Sequence, residues 1–136
     1  MDPPGAPPSA GGVRTLVEQV RQAGQPVELI EKGRPAETVG SAEAAAYRVV
    51  QEALTNALKY DLGGRTAVHV HYREWEITVQ VSTDGSGSSA ASPGGSGLGL
   101  AGLRERVGVL GGEFSAGQRE GGGFLVRANI PAGSSA

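Results

Sequence analysis

The fold is decided by residues 47–60, which read Tyr47-Arg-Val-Val-Gln-Glu-Ala-Leu-Thr-Asn-Ala-Leu-Lys-Tyr60. This stretch contains no Gly or Pro, and Ser41-Ala-Glu-Ala-Ala-Ala46 extends it upstream. Its apolar residues recur at three- and four-residue spacings, which indicates a helix with one buried face. That face carries Ala45, Ala46, Val49, Val50, Ala53, Ala57 and Leu58. We predict a central helix with Ser41 as its N-cap, ending near Asp61 before two glycines.

Three polar residues of this helix form a second pattern. Glu52, Asn56 and Lys59 are four and three residues apart, so at about 100° per residue they lie in one row beside the apolar face. A carboxylate can activate an attacking hydroxyl or imidazole, and a lysine can bind phosphate. An amide oxygen can ligate a hard cation such as Mg²⁺. The alternative interpretation is a solvated helix face that binds nothing.

Composition narrows the possible functions only slightly. The 136 residues suit one domain, and the net charge of -2 gives no electrostatic attraction to nucleic acid or an anionic membrane. Without Cys, neither disulfide nor thiolate chemistry is available. No apolar run approaches the roughly 20 residues of a membrane helix. Residues 1–12 lack the pattern of a signal peptide and are predicted to be a disordered lead or linker, so we expect a cytoplasmic location, whether free or as the cytoplasmic part of a membrane-anchored protein.

The flanking segments alternate between helical and strand patterns. Helices are predicted at 13–23 and 98–110, and strands at 26–31, 67–72, 76–83, 113–118 and 123–130. Arg73-Glu-Trp75 fits a hairpin loop, and residues 132–136 form a polar tail. This order predicts helices on one face of a mixed sheet, which is a two-layer α+β sandwich. The domain would span residues 13–131.

Two histidines share one face of a predicted strand. His69 and His71 are two residues apart, a geometry that can bind a metal. No third ligand is apparent in the sequence, and exposed strand histidines are common.

A long Gly/Ser-rich segment separates the strand 76–83 from the helix 98–110. Residues 84–97 have the composition of a flexible linker. Folded segments lie on both sides, however, and a loop of this length inside a compact domain is usually a lid or a binding loop. Gly97-Leu98-Gly99 allows backbone N–H groups to approach an anion at a helix N-terminus.

Three motifs together resemble the ATP-binding catalytic domain of bacterial sensor histidine kinases, whose fold is shared by gyrase, Hsp90 and MutL. Residues 48–59 resemble the asparagine box of that family. Residues 97–107 resemble the second glycine box of the subfamily whose partner regulators are of the NarL type. Residues 121–124 resemble the last glycine motif. The motifs occur in the family's order and spacing, and the resemblance covers residues 13–131.

The resemblance implies an ATP site that depends on Mg²⁺. Asn56 would ligate the Mg²⁺ that bridges the phosphates, and Glu52 would lie near the γ-phosphate as general base or hydrogen-bonding partner. Residues 84–96 would form the ATP lid, and catalysis would rest on positioning and charge neutralisation. The implied nucleotide contacts are Asn56, Lys59, Tyr60, Thr83, Asp84, Gly85, Gly87, Gly97, Gly99 and Leu100.

The first glycine box departs from the family's Asp-x-Gly-x-Gly pattern. Residues 83–87 read Thr83-Asp84-Gly85-Ser86-Gly87, so Thr83 stands where the family has the Asp that accepts from the adenine amine. Asp84 comes one residue later and points to the opposite face of a continued strand. Three outcomes are open: a kink brings Asp84 inward, Thr83 and a water replace the Asp, or nucleotide binding is impaired.

A sensor kinase also needs a dimerising helical hairpin with a phosphoacceptor histidine, and no such segment is recognisable. His69 and His71 lie on a predicted strand and do not fit that role. We therefore expect a fragment of a longer kinase that is monomeric and cannot phosphorylate itself alone. Its partners would be the dimerisation domain of its parent kinase and, indirectly, a response regulator.

Two other functions are compatible with the same fold. Thr83 motivates a nucleotide-poor regulatory or interaction module. An anti-sigma-factor-like serine kinase is about this short, although the stretch Leu103-Arg-Glu-Arg-Val107 argues against it.

Overall fold

The computed structural model describes residues 12–33, 40–88 and 98–132, which form three helices and one five-stranded sheet. Most of the predicted lead and of the tail, residues 89–96 of the predicted lid, and Gly97 lie outside these ranges. No helix in the described ranges is both long and apolar enough to span a membrane. The elements are α1 (Gly12–Gln22), β1 (Val27–Lys32), α2 (Ser41–Tyr60), β2 (Thr66–Tyr72), β3 (Glu76–Thr83), α3 (Leu98–Val109), β4 (Glu113–Gln118) and β5 (Phe124–Pro131).

The sheet is mixed, with strand order β1-β2-β3-β5-β4. β1 runs parallel to β2, and every other neighbouring pair is antiparallel. In this register Thr83, the last residue of β3, lies opposite Thr66, the first residue of β2. The segment that follows β3 therefore leaves the sheet at the same end at which β2 begins.

Each central strand buries alternate residues on the face that the helices cover. The inward residues are Val68, Val70, Ile77, Val79, Val81, Val126, Ala128 and Ile130, all at most 3% exposed. The other face carries polar residues such as His69, Gln80 and Arg127, which are exposed or half-buried. Helices on one face of a mixed sheet confirm the predicted two-layer α+β sandwich.

Helix α2 lies in the middle of the helical layer. It contacts β3 and β5 below it, with α1 on one side and α3 on the other. Its buried face is rich in alanine, and small side chains allow a helix to approach a sheet closely. The buried apolar residues are Ala42, Ala45, Ala46, Val49, Val50, Ala53, Leu54 and Ala57. This places the polar row of α2 at the margin of the core.

The start of α2 differs from the prediction. Ser41 is the first helical residue and not the N-cap; Gly40 occupies the cap with an extended backbone (φ -106°, ψ 177°) and no side-chain hydrogen bond. The Gly40 carbonyl accepts the first helical hydrogen bond, from Ala44 N at 3.1 Å. The other element boundaries agree with the predictions to within one residue.

A cluster of charged and aromatic side chains joins α1 to the edge of the sheet. Arg14 Nε donates to Glu31 Oε1 at 2.7 Å, and the Tyr72 hydroxyl donates to Glu31 Oε2 at 3.4 Å. Burial, followed by the negative charges of Glu31 and Glu43, raises the pKa of Tyr72 to about 12. The phenol is thus held in its neutral form by its surroundings.

We predict that Tyr72 makes the fold sensitive to alkali. A phenol with a raised pKa in the folded state stabilises the fold fully below its unfolded pKa of about 10, and this contribution is lost as the pH rises through the folded pKa. The free energy of unfolding of the wild type, measured in urea, should fall between about pH 10 and about pH 12. Tyr72→Phe should flatten this fall, whereas the control Tyr47→Phe should retain it. Equal alkaline losses in both variants would exclude Tyr72 as the responsible group.

Candidate functional site

The polar row of α2 reaches from the core margin to solvent. Glu52 is half-buried, Asn56 is only 8% exposed, and Lys59 is exposed. Tyr60, the last residue of the helix, is half-buried. The row therefore exists as predicted, with the amide in its middle as the most enclosed group.

The Asn56 amide is unusual among the buried polar side chains. Within residues 12–33, 40–88 and 98–132 it makes no hydrogen bond that meets ordinary geometric criteria, although buried amides normally have partners. Every fully buried side-chain N or O atom in these ranges has a partner, so the Asn56 amide atoms must retain access to solvent. An enclosed, unpaired amide is able to bind a ligand without first breaking an internal hydrogen bond.

Thr83 ends β3 on the inward face of the sheet. Burial alternates along the strand through Ile77, Val79 and Val81, and Thr83 is 0% exposed, as the alternating pattern predicts. Phe124 N donates to Thr83 Oγ1 at 3.2 Å, and an Nη of Arg119 donates to the Thr83 carbonyl at 2.8 Å. The hydroxyl therefore keeps its proton for one further donation.

Asp84 points away from the core. It is exposed, and its Oδ1 accepts from Ser86 Oγ at 2.6 Å and from Ser86 N at 2.9 Å. These two hydrogen bonds, the side-chain one first, lower the pKa of the Asp84 carboxyl below its ordinary value. Of the three outcomes left open by the sequence, the backbone kink that would bring Asp84 inward is absent here.

The glycines of the first box donate to a residue that the sequence did not single out. Gly85 N donates to Asp61 Oδ2 at 2.8 Å, and Gly87 N donates to Asp61 Oδ1 at 2.5 Å. Asp61 is the C-cap of α2 and is only 3% exposed. The N–H groups of Gly85 and Gly87, two of the implied nucleotide contacts, are therefore engaged within the protein.

The first glycine box is enclosed by two other loops. A Cβ on Gly85, whose φ is +80°, would lie 2.6 Å from Gly123 N in the β4–β5 turn. A Cβ on Gly87 would collide with the backbone of Asp61, Leu62 and Gly64. Leu62 and Ser88 form an isolated antiparallel bridge on the same side. The last glycine motif thus packs against the first one, and both need glycine for steric reasons.

Gln25, between α1 and β1, holds the loop that follows α2. Its Nε2 donates to the carbonyls of Asp61 and Gly64, both at 2.9 Å, and to Thr66 Oγ1 at 3.0 Å. Its Oε1 accepts from Gly63 N at 2.8 Å. Gln25 is 1% exposed, so a fully buried amide connects helix end, loop and strand β2.

The second glycine box begins α3. Gly99 and Leu100 lie in the first turn of this helix, and Leu100 packs against the core, while Gly97 lies outside the described residues. Leu103 and Val107 are buried. Arg104 lies over the Phe114 ring at 5.8 Å, a distance that permits a cation–π interaction between α3 and β4.

The two histidines lie on the uncovered face of the sheet, away from the polar row. His69 is opposite Gln80, and His71 is opposite Thr78. Within the described ranges, no group of three His, Cys, Asp or Glu side chains is close enough to hold a metal ion.

An open depression of about 900 Å³ lies beside the first glycine box, and Arg65, Ser82, Asp84 and Arg119 contribute to its lining. None of Glu52, Asn56 or Lys59 borders it. The candidate site lies at the polar row, because the carboxylate, amide and ammonium groups that could bind a nucleotide and a cation are there and not in this depression.

Sequence reasoning missed Asp61 and Gln25 as parts of the site. The sequence indicates Asp61 only as the end of a helix, and no motif includes Gln25. The partners of Asp61 lie 24 and 26 residues away along the chain, and those of Gln25 36 to 41 away. No local pattern signals such contacts.

The chain is similar to proteins of established families. Residues 41–134 match the family model described as histidine kinase-, DNA gyrase B-, and HSP90-like ATPase. Over 90 residues the chain is 38% identical to the oxygen sensor histidine kinase NreB of Staphylococcus carnosus. The matched region covers 65% of this chain and 26% of NreB. The chain therefore spans about a quarter of the length of this curated relative.

Solved structures agree with the fold. The catalytic domain of histidine kinase ThkA superposes with a TM-score of 0.63 at 18% identity, covering 88% of this chain and 89% of the other. The mycobacterial sensor histidine kinase MprB gives a TM-score of 0.60 at 19% identity, covering 88% and 93%. At these identities the likeness shows the fold alone. With the family match over most of the chain, it follows that this protein belongs to the histidine kinase-, DNA gyrase B- and HSP90-like ATPases and has the ATP-binding catalytic domain of sensor histidine kinases.

Proposed function

We propose that this chain binds ATP together with Mg²⁺ and transfers the γ-phosphate to a histidine on a separate dimerisation domain of its parent kinase. The phosphoryl group would then pass from that histidine to a response regulator of the NarL type. The observation that carries the proposal is the unpaired, 8% exposed Asn56 amide in the polar row of α2. In a cytoplasmic kinase this domain would supply the nucleotide site, and the partner domain would supply the accepting imidazole.

The residues present fit a magnesium ion. Mg²⁺ keeps several waters and usually takes only one or two protein oxygens, with phosphate oxygens as its other ligands. Asn56 Oδ1 offers one such oxygen that no other described side chain occupies. When bound, the ion would neutralise charge on the phosphates. Asn56 itself would hold the phosphate end of the nucleotide near the C-terminal end of α2.

The other residues of the row take roles by position. Glu52 lies one helical turn before Asn56 and can accept a hydrogen bond from the attacking imidazole, as general base or orienting group. Lys59 and Tyr60 follow Asn56 by about one turn, where the exposed ammonium can reach the nucleotide and the phenol ring can contact its base. Phosphate donors are proposed from Gly99 and Leu100 at the start of α3, since an N-terminal helical turn presents free N–H groups. Gly97, which precedes this helix in the sequence, is proposed as a further donor.

We predict that Asn56→Ala abolishes Mg²⁺-dependent ATP binding while the fold survives. The side chain makes no internal hydrogen bond among the described residues, so its removal should cost little stability. Isothermal titration with ATP, with and without Mg²⁺, measures the loss, and thermal melting measures the fold. In this variant, transfer of labelled phosphate from ATP to a separately supplied dimerisation domain should also disappear. The isolated wild-type chain, incubated with labelled ATP, should carry no label at His69 or His71.

The matched control is Gln51→Ala, which removes an amide from the same helix outside the polar row. It should leave both binding and transfer unchanged. Unaltered Mg²⁺-dependent affinity in Asn56→Ala with unaltered melting would remove Asn56 from the site. Absence of ATP binding by the wild type would contradict the proposed function as a whole.

We expect the part of the proposed site that would contact the nucleotide base, at Thr83, to bind the base only weakly. Thr83 Oγ1 already accepts from Phe124 N, and the side chain is 0% exposed, so a base can reach it only through a bridging water or a small movement. A hydroxyl can also donate or accept, so it favours neither the adenine amine nor the guanine carbonyl. These observations favour a second candidate, a nucleotide-poor module on the same fold.

We predict that Thr83→Asp tightens ATP binding and creates a preference for ATP over GTP. Hydrogen bonds to charged groups contribute about 1.5–3 kcal/mol, and at about 1.4 kcal/mol per decade this corresponds to roughly ten- to a hundredfold in affinity. Competition titrations with both nucleotides measure the effect, and melting records any cost of burying the carboxylate.

Asp84→Ala distinguishes the rival assignment. It should leave base preference unchanged, because Asp84 is exposed and bonded to Ser86. Loss of adenine binding in Asp84→Ala, together with no gain in Thr83→Asp, would assign the adenine contact to Asp84.

A further inference from the structure

We infer that Asp61 is a positioning residue for the nucleotide site: its carboxylate joins the end of α2 to the first glycine box and so fixes residues 85–87 beside the end of the helix that carries Asn56. This inference rests on the proposed ATP binding, but the contact itself is tested independently below. Asp61 is the C-cap of α2, five residues after Asn56, and follows Tyr60 directly.

The contact uses both carboxylate oxygens. Oδ2 accepts from Gly85 N at 2.8 Å and Oδ1 accepts from Gly87 N at 2.5 Å, from two donors that flank Ser86. A carboxylate is an acceptor at both oxygens, and hydrogen bonds to it are shorter and stronger than those to neutral groups. No neutral side chain of the same size offers two acceptors in this arrangement. An amide would turn its NH₂ group toward one of the glycine donors.

The surrounding residues hold the carboxylate in place. Gln25 Nε2 donates to the Asp61 carbonyl at 2.9 Å and fixes the backbone from the other side. A Cβ on Gly64 would collide with the Asp61 carboxylate, so this glycine provides the space that the carboxylate occupies. At 3% exposure Asp61 has little surface left for a ligand. Its role is therefore to act through the glycine box, and direct contact with the nucleotide is not part of it.

The glycine box connects this contact to the proposed base end of the site. It continues directly from Thr83, and the Leu62–Ser88 bridge fastens its other end to the loop after α2. Release of Gly85 and Gly87 from Asp61 would free the segment between these two anchors. Residues 85–87, which we propose to line the nucleotide site, would then lose their fixed position beside the end of α2, the helix that Asp61 caps.

The test compares Asp61→Asn with Glu113→Gln, which removes the same charge at an exposed position at the start of β4. Amide hydrogen exchange reports the contact, and titration with ATP and ADP in Mg²⁺ reports the site. We expect faster exchange at Gly85 and Gly87 in Asp61→Asn, with β2 and β3 amides unchanged. Both nucleotides should bind roughly ten- to a hundredfold more weakly and by the same factor, since the lost contact lies away from the γ-phosphate.

The outcomes distinguish three statements: the contact between Asp61 and the glycines, the positioning role of Asp61, and the proposed binding of ATP. Unchanged exchange at Gly85 and Gly87 would overturn the contact itself. Faster exchange with wild-type affinities would leave a structural contact and overturn the positioning role. A wild type that exchanges slowly at both glycines but binds neither nucleotide would refute the proposed function, and the positioning role with it, while leaving the contact established. A loss confined to ATP would also contradict the inference, because it would place the effect at the γ-phosphate.

A second variant covers the case in which Asp61→Asn fails to fold. Asp61→Ser keeps one oxygen acceptor at a position where water can supply the other. It should retain protection at no more than one of the two glycine amides and bind both nucleotides with an intermediate affinity. Full protection at both amides, or affinity equal to that of the wild type, would exclude the carboxylate as the positioning group.

Discussion

The arrangement of this domain depends on the packing of the alanine-rich face of α2 against the sheet. Buried apolar area supplies most of the stabilisation of a small domain, and here it lies between α2 and the inward valines of β3 and β5. Small side chains on the helix allow its axis to approach the strands closely. The polar row of α2 is then necessarily at the core margin, where Asn56 is enclosed without being sealed.

The site is completed by loops that have no apolar core of their own. The connection after α2, the first glycine box and the β4–β5 turn are held by hydrogen bonds to Asp61, Gln25 and Thr83, and by close contacts that only glycine permits. Backbone groups buried in loops need such partners, because each unpaired one costs free energy. The loops are therefore interdependent: the first glycine box contacts both of the others.

At position 83, a threonine and an aspartate would differ both in how well they are buried and in how strongly they could bind a base amine. A hydroxyl at the inward end of β3 is satisfied locally by the Phe124 amide, which suits a buried position. A carboxylate there would bind a base amine more strongly but would also have to be buried. Thr83 is buried and the N–H groups of Gly85 and Gly87 are engaged, so this end of the candidate site is well packed and offers few free hydrogen-bonding groups among the described residues.

The sequence alone determined the helices and strands, their order and the α+β class, because periodicities of 3.6 and 2 residues encode which faces are buried. It also placed Asn56 between Glu52 and Lys59 and Thr83 on the inward face, since both follow from local geometry. It misplaced the N-cap at Ser41: Gly40 occupies that position, and no side-chain hydrogen bond caps the helix there.

The tertiary structure alone decided that Asp61 binds the glycine box and that Gln25 braces it. These contacts join residues 24 to 41 positions apart, and their existence depends on how α2 and the sheet bring three loops together. A local pattern carries no information about such distant partners, because any polar residue in a loop can equally well be solvated.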